Sequence, residues 1–201
     1  MSSANHPEPD ADDARRFAES AAELRAALDR LGPEHLRAVR RLADAVLAAW
    51  RGGGKLLLCG NGGSAADAQH IAAELIGRLK RERRALPAVA LTTDTSALSA
   101  ISNDYGFHRV FTRQVEGLVR AGDVVWALST SGNSPNIIEA AQAARAQQAT
   151  VLGFTGRGGK LQPLCDLCLC VNHASSDRVQ EIHQIAYHLI CDEVERHFAR
   201  D

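Results

Sequence analysis

The chain has no excess of positive charge. Its 201 residues carry 23 Lys and Arg against 24 Asp and Glu, so the electrostatic footprint of a nucleic-acid binder is missing. No apolar run is long enough to span a bilayer, which argues against a membrane partner. The opening stretch, residues 1–10, has no apolar core of the kind a secretory signal needs, and a cytoplasmic location is expected. Cysteine is scarce and odd in number, five in all. Cys165, Cys168 and Cys170 crowd together, but as Cys-x-x-Cys-x-Cys without a second matching pair, which is not the spacing of a structural zinc site. The segment 166–171 reads as a buried strand, and its thiols are expected to be reduced core residues. No Gly-Lys-Ser/Thr follows either glycine-bearing loop, which excludes a P-loop. Internal repeats are absent, and the only biased segment is a polar, acidic start over residues 1–12, expected to be a disordered tail.

What remains is a pattern of alternation. Apolar runs at 55–59, 87–91, 123–128, 150–154 and 167–171 read as strands buried on both faces of a parallel sheet. Helical patterns fill 64–79, 95–104, 108–120, 134–147 and 177–199. The reading is an α/β fold with a doubly wound five-stranded sheet. Two amphipathic helices precede it, at about 15–30 and 34–51, separated by Gly32-Pro33 and closed by Gly52-Gly53-Gly54.

Two strand-to-helix turns carry the chemistry. Cys59-Gly60-Asn61-Gly62-Gly63-Ser64 follows the first apolar run, and Ser129-Thr130-Ser131-Gly132-Asn133-Ser134 follows the third. Each turn opens a helix, whose N-terminus offers unpaired N–H groups and the positive end of a dipole. Glycine lets the backbone approach an anion closely, and hydroxyls add neutral donors. Ligands of doubly wound sheets sit outside the carboxyl ends of the strands, where both turns lie. A phosphorylated metabolite fits them. Plain turn and cap chemistry would use the same residues, but two such turns at one end of one sheet favour a shared site. Gly60-x-Gly62-x-x-Ala65 matches the dinucleotide fingerprint in form only. Glu82 lies inside a charged run, and Asp94 is too far along to meet a ribose.

His70 and Glu74 stand four apart on the helix after the first turn, so their side chains stack on one face. Such a pair holds a divalent metal or divides acid and base roles, or it is an ordinary surface pair. On the last helix Gln180, Gln184 and His188 share a broad stripe. Spacing does not decide whether His183 or His188 faces a pocket. The basic run Arg78 to Arg84 reads as a solvated face, and Asn103-Asp104 as a helix cap or a hydroxyl ligand.

The string from Cys59 to His70, together with Leu128 to Ser134, resembles the sugar isomerase (SIS) family. Further matching segments are Asn103-Asp104-Tyr105-Gly106, Gly153-Phe154-Thr155-Gly156 and Arg178 to His183, which point to its heptose-phosphate branch. The resemblance implies a flavodoxin-like sheet in one SIS domain over residues 13–201, including the N-terminal helices. It implies conversion of sedoheptulose 7-phosphate to D-glycero-D-manno-heptose 7-phosphate, which supplies heptose for cell-surface polysaccharide. It assigns substrate contacts to Asn61, Gly62, Gly63, Ser64, Asn103, Asp104, Ser129, Thr130, Ser131, Ser134 and Gln180. It assigns one zinc ion per subunit to His70, Glu74, Gln180 and His188, and acid–base catalysis to Glu74 and His188. A homotetramer is implied as well. The alternative it leaves open is a non-catalytic tetramer that binds a replication initiator.

Overall fold

The structure, a computed structural model, describes residue 8 and residues 10–199. Most of the tail expected over residues 1–12 therefore lies outside the described residues. Its last two residues do not fit that reading, because helix α1 spans Ala11–Asp29. Asp10 explains the early start: its carboxylate accepts the N–H groups of Asp12 and Asp13, closing a capping box with Asp13.

Helix α2, Pro33–Arg51, begins with proline at its first position, where no N–H is needed. The chain then alternates: β1 (Leu56–Cys59), α3 (Gly63–Ile76), β2 (Ala88–Ala90), α4 (Thr95–Tyr105), α5 (Thr112–Leu118), β3 (Val124–Ser129), α6 (Pro135–Ala146), β4 (Thr150–Thr155), β5 (Leu167–Cys170) and α7 (Ser176–Phe198). The five strands are parallel, in the order β2-β1-β3-β4-β5. Strand order reverses between β1 and β3, so a crevice opens at their carboxyl ends.

Alternate strand residues feed two cores. Leu56, Leu58, Val124, Trp126, Leu152 and Phe154 pack with α2, α3 and α7 on one face. Leu57, Val125, Ala127 and Val151 pack with α5 and α6 on the other. Among the described residues no helix is long and apolar enough to cross a membrane.

Three local expectations change. The helix expected over 108–120 is a 3-10 turn at Phe107–Arg109 followed by α5, because Val110 and Phe111 are drawn fully into the second core at the break. The last strand is an edge strand: Cys165, Cys168 and Cys170 are only partly buried, although all five cysteines are free thiols. The run 78–84 is not wholly a solvated face, since Arg83 is buried.

Candidate active site

The two turns are built as the sequence suggests, and they are tied to each other. Gly62 takes φ +53° and Gly132 φ +65°, the left-handed region that a side chain disfavours. Gly60 is needed for a different reason: a Cβ there would meet the Ser64 carbonyl oxygen at 2.3 Å. Asn61 and Asn136 exchange side-chain amide hydrogen bonds of 3.0 and 2.8 Å. They join the first turn to the start of α6 across the point where strand order reverses. Asn61 was expected as a substrate contact, yet its amide is engaged with a buried neighbour that sequence reasoning missed. The second turn is braced from behind: Gly156 N–H donates to Thr130 C=O at 2.9 Å, and Leu161 N–H to Gly132 C=O at 2.9 Å. Inside it the Ser129 and Ser134 hydroxyls lie 3.2 Å apart. Thr130 meets Ser176, at the start of α7, at 3.1 Å. Ser131 Oγ accepts the Asn133 N–H.

Helices α3 and α7 run side by side and in the same direction. The Gln180 amide lies over Gly63, where a Cβ would meet it at 2.5 Å. Seven residues further on, His70 meets Tyr187 and His188, with ring centroids 5.4 and 5.0 Å away. The result is a cluster: ligand atoms of His70, Glu74 and His188 all lie within 4.8 Å of one another. Gln180 lies towards the start of α3. Two turns of helix, about 10 Å, separate Gly63 from His70. His183 is excluded from the pocket altogether. It is fully buried, with Nε2 3.3 Å from the Thr155 carbonyl and its ring against Phe154. Asn103 and Asp104 sit exposed on α4, and Asn103 donates to Asp104 at 2.8 Å. The structure does not bring them to the cluster.

The donor set suits a divalent ion such as zinc, with two imidazoles and one carboxylate. The groups behind it also fit. His70 Nε2 is 3.1 Å from Glu74 Oε1, and its Nδ1 is 2.9 Å from the Tyr187 hydroxyl. That hydroxyl also reaches Asp67 Oδ1 at 3.5 Å. A metal held by Nε2 needs Nδ1–H to donate outward. Tyr187 can accept that hydrogen bond and turn its own O–H to Asp67. Asp67 keeps a buried Oδ2 without a partner among the described residues, and burial pushes its carboxyl up to about 6 against the pull of His70 and Tyr187. Burial, then His70, hold His188 below the ordinary imidazole range; Glu74 opposes them.

An SIS-domain family profile matches residues 19–156, which reaches α3 and both turns but not α7. The relatives extend further. The chain is 54% identical over 159 residues to the phosphoheptose isomerase of Helicobacter hepaticus, covering 79% of this chain and 81% of that protein. Over 185 residues it is 49% identical to the phosphoheptose isomerase of Rhodospirillum rubrum, covering 92% and 96%. The solved phosphoheptose isomerase of Neisseria gonorrhoeae superposes with a TM-score of 0.85 at 46% identity, over 90% of this chain and 98% of that one. The chain belongs to the SIS-domain phosphoheptose isomerases. As a phosphoheptose isomerase relative it has the α/β fold expected, and α7, which lies beyond the domain profile, supplies one member of its titratable cluster. Sequence reasoning missed Asp67 and Tyr187. Asp67 precedes His70 by one helical turn, a signal that was present, whereas Tyr187 depends on how α3 and α7 align.

Proposed function

We propose that this chain interconverts sedoheptulose 7-phosphate and D-glycero-D-manno-heptose 7-phosphate by moving a proton between C1 and C2. The observation that carries the reading is the meeting of Glu74 from α3, the helix that the first turn opens, with His188 from α7. The phosphate is held by Ser129, Thr130, Ser131 and Ser134, and the sugar by the turn Asn61, Gly62, Gly63 and Ser64 with Gln180. Asn103 and Asp104 complete the sugar contacts across a subunit boundary.

The chemistry follows from the groups. A carboxylate at Glu74 takes a proton from C1 of the ketose, the C1–C2 double bond forms, and O2 accepts a proton. The enediol then loses its O1 proton as the C1 carbonyl forms, and Glu74 returns a proton to C2. His188 serves the two oxygens. Burial and His70 favour its neutral form, and a neutral imidazole suffices to polarise a carbonyl. Zinc would be held by His70, Glu74 and His188, with Gln180 as the fourth ligand implied by resemblance, and when bound supplies a Lewis acid for the sugar oxygens.

A tetramer working in the cytoplasm suits the surface. Phe17, Leu36, Tyr105, Phe107, Ile185 and Leu189 are exposed, apolar groups that a neighbouring subunit would cover. Five free thiols suit a reducing compartment. The non-catalytic reading finds no support among these relatives. Incubating the purified chain with sedoheptulose 7-phosphate tests the proposal, with elemental analysis and light scattering on the same sample. Formation of the aldose 7-phosphate is expected; no conversion, with or without added zinc, sinks it.

A further inference from the structure

Arg83 and Glu195 are charged yet buried, with 1% of each side chain exposed. Their hydrogen bonds show what they do. Arg83 donates to the Glu74 carbonyl at 2.6 Å, to Gly77 C=O at 2.8 Å and to Arg84 C=O at 3.0 Å. The Glu74 and Gly77 carbonyls belong to the end of α3, where helical carbonyls have run out of N–H partners. Glu195 accepts three backbone N–H groups, from Leu79, Lys80 and Arg81, at 2.7 to 2.8 Å. It sits on α7 two turns beyond His188. The two charges face each other at 3.6 Å, Arg83 Nε to Glu195 Oε1, too far for a hydrogen bond, and among the described residues that Nε has no other partner. The terminal guanidinium nitrogens are spent on the end of α3, and Glu195 on the segment that follows it.

We propose that Arg83 and Glu195 form a latch that fixes the end of α3 against α7 and so sets the separation of Glu74 from His188. The proposal rests on the reading that these two groups carry the proton. Glu74 lies in the last turn of α3, where a helix otherwise frays. A misplacement of about 1 Å at a reacting group costs up to about 10²-fold in rate. An apolar pair of like volume would leave these six backbone groups unpaired, so the two charges hold the end of α3 in one place. Lysine cannot substitute for Arg83, because it has no planar fork to reach several carbonyls at once. Neither substrate turn touches the latch, so substrate affinity should not depend on it. Arg83 and Glu195 are positioning residues, not catalytic ones.

The test is Arg83→Lys beside Glu74→Gln, with kcat and KM measured well below the melting temperature of each. Expected for Arg83→Lys is a kcat lower by about 10- to 100-fold with KM within about twofold, and faster amide exchange over residues 75–79. A folded Arg83→Lys protein with wild-type kcat, while Glu74→Gln is inactive, overturns the latch and leaves the proton-transfer reading standing. Near-normal turnover of Glu74→Gln overturns that reading instead. Should Arg83→Lys not fold, the wild type still decides: amides 75–77 should exchange as slowly as the interior of α3, and free exchange there refutes the latch.

Discussion

Acid should destabilise this fold in part through one residue that takes no part in catalysis. His183 is wholly buried, and burial pushes its imidazole down to about 4 against an ordinary 6.5; the Thr155 carbonyl resists only partly. Its Nδ1 has no partner among the described residues, so none of them welcomes the second proton. The unfolded chain takes that proton near pH 6.5 and the native chain only near pH 4. The stability tied to neutral His183 is therefore complete above pH 6.5 and is lost as pH falls towards 4. The gap between those values corresponds to about 3 kcal/mol, a large fraction of a typical domain's net stability. Other groups titrate in the same window: Asp67, raised to about 6, contributes with the opposite sign. The clean quantity is therefore the difference between the wild type and His183→Phe, each unfolded in urea at pH 7 and pH 4 at fixed protomer concentration. The replacement costs about 1–3 kcal/mol at pH 7 for overpacking, and the Thr155 carbonyl keeps its hydrogen bond from Val171 N–H. Its loss of stability on acidification should be smaller than the wild type's by about 3 kcal/mol. Parallel losses in the two proteins would show that His183 is not the group responsible.

Gly132→Ala and Gly62→Ala should part company. Both positions have positive φ, which costs alanine about 1–2 kcal/mol, but a Cβ at 62 meets nothing within 4 Å whereas one at 132 meets the Gly158 carbonyl oxygen at 1.9 Å. Thermal melts should show the small cost alone for Gly62→Ala, and kinetics should show KM raised at least about tenfold for Gly132→Ala, the loss of one charge-assisted hydrogen bond. Tyr187→Phe keeps the buried ring but removes the hydroxyl between His70 and Asp67; zinc titration should show affinity about 10- to 100-fold weaker, and unchanged affinity would detach Tyr187 from the site.

The sheet was legible because parallel strands buried on both faces are near-continuous apolar runs, as Val124 to Leu128 illustrates. The turns were legible because glycine and hydroxyl residues follow those runs directly, and His70 with Glu74 because four residues make about one helical turn. The last helix was not. Both His183 and His188 sit amid apolar residues, and only the packing of α7 on β4 buries the first and leaves the second beside α3; resemblance, not periodicity, favoured His188. Asn136 and Arg83 escaped for the same reason. Each is polar in a segment that reads as helix start or surface, and each acquires its role from a partner far along the chain, Asn61 and Glu195 respectively.

In the proposed reaction Glu74, with His188, moves a proton between adjacent sugar carbons. The most direct test is to run the wild type and Glu74→Gln on sedoheptulose 7-phosphate in deuterated water and read C2 of the aldose product by nuclear magnetic resonance. Deuterium at C2 is expected with the wild type, and turnover about 10²–10⁴-fold lower with Glu74→Gln. Near-normal turnover by Glu74→Gln, with the same deuterium at C2, would contradict this role for Glu74.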